Sequence, residues 1–404
     1  MTSIVNVHVY PSPIRNEARM LRITETLAKN NVFDQIVLVG TASPDLPADQ
    51  AIDDVRRIMR VEMPAGGNGL LAKVTRTRRW SRAVRDRLRH HSIACVNAHS
   101  LSVLPLCDQI RKSTGAALVY DTHELETETV HSTGIRRLGA RVIERRLIPH
   151  ADAVSVVNEP IADWYRRAYG LPDVTVVRNL PKRAPLSRPR SGELRQRVGV
   201  GDDALLFIYQ GIFAVGRSIP IVLEAFKGPG RHHLLMIGYG QLDDLVTRAA
   251  AENPRIHVLE PVAPEALPAI TAEADIGLAL IEDICLSYRL CLPNKIFEYM
   301  NAGIPSVVSN RPAMTSVVRE TGAGWILEDL TPRALAAFVA GLSEESLLAA
   351  RASAAAHRDR FTWEQEEAAL LSLYARLGFI PRATRTQRDP SVATSHVSSD
   401  LVIE

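Results

Sequence analysis

The chain has 404 residues, 46% of them hydrophobic and 23% charged, with a net charge of +3; this is ordinary globular composition in more chain than one compact core holds. Aromatic residues make up only 5%, too few for a stacking surface on single-stranded nucleic acid. Four cysteines (Cys95, Cys107, Cys285, Cys291) form neither a CxxC pair nor a Cys/His zinc pattern, so free thiols in a reducing compartment are expected.

Residues 4–9 read as a first strand, 16–29 as a helix (Ala18, Leu21, Leu27, Ala28) and 35–40 as a second strand. Residues 95–98, 117–121 and 153–158 read as further strands. These are continuous apolar runs without period-2 alternation, the pattern of strands buried on both faces. Repeated β-α-β units imply a parallel, doubly wound sheet. Residues 181–192 are proline-rich, basic and aperiodic, which marks a linker. The rhythm then restarts with strands at 205–210, 233–238, 256–259, 276–281, 306–309 and 324–327. An amphipathic helix follows at 361–377 (Trp363, Leu370, Leu373, Tyr374), and 382–404 read as a disordered tail. The expected fold class is α/β: two Rossmann-like doubly wound parallel-sheet domains with a cleft between them. The domains are 1–182, joined by the returning helix 361–380, and 193–360, with 183–192 as linker. Many enzymes share that plan; ligands should lie at the carboxyl ends of the strands, in the cleft.

Three segments carry candidate chemistry. In the first, Pro293-Asn294-Lys295 leads to Glu298, and Gly303 and Pro305 close the run. Lys295 and Glu298 are three apart, on one helix face near its start. There a lysine can join backbone N–H groups on a phosphate, and a carboxylate one turn on can accept both hydroxyls of a ribose. The competing reading is a surface Lys–Glu pair worth ~0.3–0.5 kcal/mol. In the second, Tyr209-Gln210-Gly211 runs to Gly216-Arg217: Gly211 allows close approach, Gly216 an unusual backbone, and Arg217 can fork onto a diphosphate. Ser218 is placed to cap the next helix and Pro220 to start it. In the third, Tyr120-Asp121-Thr122-His123-Glu124 follows a central strand; a lone histidine there is more often a satisfied polar residue, but Asp121 and Glu124 flank it.

Together these segments resemble the retaining glycosyltransferases of family 4, which have the GT-B fold. The likeness is specific in the second half and loose in the first. Weaker echoes are Gly238-Tyr239-Gly240, Ala274-Asp275-Ile276-Gly277 and Phe361-Thr362-Trp363-Glu364. The resemblance implies transfer of a sugar from a nucleoside-diphosphate donor, UDP before GDP, to a hydroxyl acceptor. It assigns Glu298 to the ribose, Arg217 and Lys295 to the departing diphosphate, and His123 to the sugar. It puts Gly211, Gly216, Gly238, Tyr239, Leu292, Pro293 and Asn294 around the donor, and Asn16 and Glu124 on the acceptor side. Many members carry a sugar-contacting glutamate where this chain has Leu290; backbone amides of the 286–292 loop are the expected substitute. No Asp-x-Asp pair is present to hold a metal–diphosphate, so no metal and no cofactor are expected. The absent G-x-G-x-x-G disfavours a dehydrogenase. A degenerate scaffold subunit and a nucleotide-sugar 2-epimerase stay open as alternatives.

Residues 73–89 hold eight cations against one acid, and Arg136, Arg137, Arg141, Arg145 and Arg146 form a second basic patch. A solvated helix face and an anionic lipid surface, at about 1 kcal/mol per cation, explain them equally; nucleic acid is not expected. With no signal-like start and no run of ~18–20 apolar residues, the expected location is cytoplasmic, at most peripheral on the inner leaflet beside a lipid-linked acceptor.

Overall fold

The computed structural model describes residues 3–67, 69–183 and 191–382. Most of the predicted linker (184–190) and of the predicted tail (383–404) therefore lie outside the described residues. The first sheet holds β1 (Val5–Val9), β2 (Gln35–Thr41), β3 (Asp49–Ala51), β4 (Arg56–Val61), β5 (Ile93–Ala98), β6 (Ala117–Asp121), β7 (Ala153–Val156) and β8 (Thr175–Val176), in the order β3-β4-β2-β1-β5-β6-β7-β8. The second holds β9 (Leu206–Ile212), β10 (His233–Tyr239), β11 (Ile256–Leu259), β12 (Ile276–Ala279), β13 (Ser306–Ser309) and β14 (Gly324–Leu327), in the order β11-β10-β9-β12-β13-β14.

The expectation of wholly parallel sheets needs one correction: β3 pairs antiparallel to β4. Neither those two strands nor β8 was legible in the sequence. β3 is exposed along its length, and β4 carries Arg56, Arg57 and Arg60, so no apolar run marks this edge. Arg60 is buried because its guanidinium donates to the carbonyls of Pro13, Pro47 and Ile14 at 2.6–3.1 Å, which satisfies a group that would otherwise be costly inside.

Strand order reverses between β1 and β5 in one sheet and between β9 and β12 in the other. Those reversals open crevices at the carboxyl ends of the strands. Close approaches set the second one. A Cβ on Gly238 would sit 1.9 Å from the Gly211 carbonyl. One on Gly277 would sit 2.1 Å from the Tyr299 ring, so the glycine of β12 is what lets the helix Lys295–Asn301 pack against the sheet.

The chain returns to the first domain through the helix Trp363–Arg376. The Trp363 N–H donates to the Pro181 carbonyl (2.7 Å) and its indole to Thr26 Oγ1 (2.9 Å). Trp363, Leu370, Leu373 and Tyr374 enter the cluster around Met20, Ile23, Leu27 and Ile36; each buried side chain contributes roughly 1.5–3 kcal/mol. No helix among the described residues is long and apolar enough to cross a membrane.

Candidate active site

Two cations, Lys295 and Arg217, lie at the carboxyl end of β9. Lys295 opens the helix Lys295–Asn301 and is 9% exposed. Its ammonium lies 3.7 Å above the Tyr209 ring centroid and beside the Gly211 backbone, where a Cβ would meet it at an ordinary contact distance of 3.7 Å; what Gly211 supplies is its φ of +124°. Burial first, and Arg217 second, push the Lys295 ammonium down to about 7 despite the attraction of Glu298. Arg217 lies over the Tyr288 ring at 4.7 Å. Among the described residues neither cation has a carboxylate within ion-pair distance. The surface Lys295–Glu298 pair of the competing reading does not form: Glu298 Oε2 instead accepts from Gln210 Nε2 (2.6 Å), and Gln210 Oε1 accepts from Thr271 Oγ1 (2.8 Å).

The turn carrying Arg217 is tightly specified. Gly216 has φ +79°, and a Cβ there would lie 2.5 Å from both Ile284 and Tyr288. Ser218 stands at the cap position but does not cap the helix Ile219–Lys227 through its side chain. Its φ is +57°, its N–H donates to Glu282 Oε1 (3.1 Å), and its hydroxyl is buried without a partner. The left-handed backbone turns that hydroxyl away from the orphan amides. Gly216→Ala is expected to cost about 1–3 kcal/mol in a urea melt and, by shifting Arg217, up to about 10²-fold in activity.

The loop after β12 bridges the domains. Leu286 and Leu290 pack against the first domain's core, the Leu290 carbonyl accepts from Asn158 Nδ2 (2.9 Å), and Ser287 Oγ donates to Glu124 Oε2 (3.3 Å). Asn158 and Glu124 follow β7 and β6, so the carboxyl edges of the two sheets face each other. Leu290 is thus an apolar dock rather than a polar contact. The amides of Arg289, Leu290 and Cys291 are spent on the carbonyls of Cys285, Leu286 and Tyr288. That narrows the expected role of loop amides to those of Leu286, Ser287 and Tyr288, which take no part in this ladder.

On the opposite wall, His123 is 30% exposed, and its Nε2 lies 3.2 Å from Asp121 Oδ2. Asp121 also receives both forks of Arg19 (2.6 and 3.0 Å), Ser155 Oγ (2.6 Å) and His99 Nδ1 (2.9 Å). His99, Asp121 and His123 are the one cluster of metal-type side chains among the described residues. The Arg19 guanidinium already supplies its positive charge.

Family models match both halves of the chain: residues 17–180 match a glycosyl transferase 4-like domain, and residues 207–345 match glycosyl transferases group 1. The chain belongs to the group 1 glycosyltransferases. Its architecture is similar to sucrose-phosphate synthase from Thermosynechococcus elongatus (16% identity, TM-score 0.76, 94% of this chain against 99% of that one). It is also similar to Anabaena HepE in complex with UDP-glucose (16%, 0.69, 92% against 99%) and to the E. coli trehalose-6-phosphate protein bound with UDP-2-fluoro glucose (12%, 0.66, 91% against 98%). At such identities the likeness is one of fold, the two-domain GT-B arrangement. No curated protein matches the chain in sequence.

Within this glycosyltransferase, Gly211, Gly216, Arg217, Lys295 and Glu298 gather at the β9–β12 crevice, and His123 and Glu124 face it from the first domain. Gly238 lies in register with Gly211, Tyr239 ends β10 as an exposed residue, and Leu292, Pro293 and Asn294 lead half-buried into the Lys295 helix. Asn16 is exposed, and no side-chain hydrogen bond ties it to the site. Three residues were missed: Gln210, which fixes Glu298; Tyr288, which carries Arg217; and Arg22. Arg22 reaches Asn179 and lies over the Trp363 ring. Burial and Arg19 push it down to about 10, with Glu298 among the charges that support it. Only its i,i+3 spacing from Arg19 hinted at a shared face.

Proposed function

We propose that the protein transfers a sugar, with retention, from a UDP-sugar to a hydroxyl acceptor. The observation that carries this is the pair of cations, Lys295 and Arg217, with no carboxylate within ion-pair distance among the described residues, and Glu298 one helical turn from Lys295 and held by Gln210. A dianionic diphosphate supplies the missing charge, and Glu298 takes the ribose diol. The second domain binds the donor and the first the acceptor. As the bond from the sugar's C1 to the phosphate oxygen breaks, its electron pair goes to the diphosphate, which Arg217 and Lys295 stabilise. The acceptor oxygen attacks C1 from the same face and passes its proton to the leaving phosphate. His123 and the amides of Leu286, Ser287 and Tyr288 hold the sugar. The cations do the work a metal would otherwise do. UDP is preferred to GDP because two of the similar structures hold UDP-sugars. A thermal-shift panel of UDP, GDP, ADP, TDP and their sugars tests this reading. Saturating ligand at 100 times Kd adds ~2.7 kcal/mol, and one nucleotide should stand out; a folded protein that responds to none is a scaffold subunit instead.

We further propose that the acceptor is lipid-linked and that the first domain docks on an anionic leaflet in biosynthesis of a polysaccharide or glycolipid. The helix Gly134–Leu147 turns Ile135 (88% exposed), Leu138 (64%) and Val142 to solvent, flanked by Arg136, Arg145 and Arg146. On the helix Leu70–Leu88, Lys73, Arg78, Arg79, Arg82, Arg85 and Arg87 are exposed while Trp80, Val84 and Leu88 are buried. An apolar stripe between cations suits an interface of acyl chains and anionic headgroups. Salt-sensitive co-sedimentation with anionic but not neutral vesicles is expected, and Ile135→Glu/Leu138→Glu should abolish it. Equal binding by that variant would leave the arginines as a solvated face.

A further inference from the structure

A line of buried polar side chains runs through the first sheet to His123, and its hydrogen bonds can be assigned one after another. Tyr374, on the returning helix, donates its O–H to Asn97 Oδ1 (2.7 Å). Asn97 Nδ2 donates to Asn6 Oδ1 (2.6 Å) and to the Val7 carbonyl (3.2 Å). With its oxygen so used, Asn6 faces His8 Nε2 with its amide nitrogen (2.9 Å) and donates. His8 Nε2 is therefore bare, and the ring's proton is on Nδ1, which donates to His99 Nε2 (2.8 Å). By the same step His99 carries its proton on Nδ1 and donates to Asp121 Oδ2 (2.9 Å). Burial lowers both His8 and His99 below the ordinary histidine value, so each carries one proton.

Asp121 ends the line. Burial alone would favour its neutral form, but Arg19 and the two histidines outweigh burial and hold the carboxyl well below its ordinary value. An ionised carboxylate only accepts. His123 Nε2, 3.2 Å from Oδ2, must then be the donor. With a single ring proton, His123 is then left with a bare Nδ1, which makes no hydrogen bond among the described residues. His8, His99 and Asp121 are at most 2% exposed, so His123 is the one ring of the line that reaches the cleft.

We infer that Asp121 is a positioning residue: fed by the His8–His99 line and clamped by Arg19, it locks His123 with its proton on Nε2, so that Nδ1 meets the ligand as a hydrogen-bond acceptor and selects a sugar hydroxyl that donates. What enters the cleft rests on the sugar-transfer reading; where the proton sits does not. The stacking of His8 on His99 (centroids 5.1 Å apart) and the Tyr10 ring 5.9 Å from His123 restrict ring rotation. The assignment separates two roles for the histidine. A ring with its proton on Nδ1 would offer a donor to a developing negative charge; a ring with a bare Nδ1 orients a neutral hydroxyl and fixes the sugar's rotation in the site.

Long-range proton–nitrogen NMR of the full chain labelled with ¹⁵N-histidine reads each tautomer, with His8→Gln, His99→Gln and His123→Gln used only to assign signals. Expected is the Nε2–H form at His123 and the Nδ1–H form at His8 and His99. A UDP-sugar should shift the His123 Nδ1 signal, and UDP alone should not. Asp121→Asn should give a mixed His123 tautomer and lower kcat about 10–100-fold with the donor KM within about twofold. Should that variant not fold, the wild-type spectrum decides the tautomer alone. His123 protonated on Nδ1, or averaged between forms, overturns the inference. So does a sugar nucleotide that binds without moving Nδ1. A chain that binds no nucleotide removes the sugar-transfer reading and leaves the tautomer result standing.

Discussion

Lys295→Met is expected to lower kcat about 10²–10³-fold while leaving the ligand-free protein at least as stable. The ammonium is buried over Tyr209 with no carboxylate in bonding distance among the described residues, and such a group is costly to fold; the aromatic face returns only ~0.5–2 kcal/mol. Methionine keeps the length and volume without the charge. Transfer needs that charge, because negative charge accumulates on the diphosphate as the sugar departs. The pH dependence has a definite sign. The folded value, about 7, is below the ordinary 10.5, so between these limits the unfolded chain binds more protons and the wild type gains stability as pH rises. The variant's stability advantage should therefore be largest below pH 7 and fade toward 10.5. Nucleotide affinity runs the other way. A bound diphosphate restores the charged form, so binding above pH 7 takes up a proton, and affinity falls by up to about tenfold per pH unit. Calorimetry of UDP binding at pH 8 in two buffers of different ionisation heat reads that uptake. Heats that do not depend on the buffer, or a variant with wild-type kcat, would remove Lys295 from the site.

The second large effect is on nucleotide binding itself. Glu298→Ala deletes both acceptor oxygens for the ribose diol. Hydrogen bonds to a charged acceptor contribute ~1.5–3 kcal/mol each, so Kd should rise a hundredfold or more. Ligand at 100 times the wild-type Kd then stabilises the variant by ~0.4 kcal/mol instead of ~2.7, and the thermal shift all but disappears. The ribose does not react, so the loss should appear mainly in KM. Gln210→Leu frees the Glu298 carboxylate from its clamp without removing it and should fall between, at about tenfold. An unchanged nucleotide shift in Glu298→Ala would mean that the ribose lies elsewhere.

Much of this was legible in one dimension. β6 and β13 are buried nearly throughout and fall where apolar runs put them, because a strand covered on both faces must be largely apolar; the half-buried edge strands β11 and β14 fall at their predicted places as well. The residues of the β9–β12 crevice were readable for a related reason. Gly211 and Gly216 mark backbone positions a side chain cannot take, and Lys295 and Glu298 share one turn of helix, so their spacing is local. The edge strand β3 and its neighbour β4 were not readable, since an exposed strand and an arginine-bearing one have no apolar pattern to show. Ser218 looked like a cap by residue type, and only its left-handed backbone removes it from that role.

The sequence by itself determined two doubly wound domains, the crevice residues set by turn and helix spacing, and the basic character of the first domain. Tertiary structure alone decided that Leu290 docks on the opposite domain, that Gln210 and Arg22 support Glu298, and that Tyr374, Asn97, Asn6, His8 and His99 lead to Asp121. The physical reason is separation along the chain. Residues 374 and 97, or 19 and 121, meet only after each sheet is assembled and the last helix returns, and no local period records such a meeting.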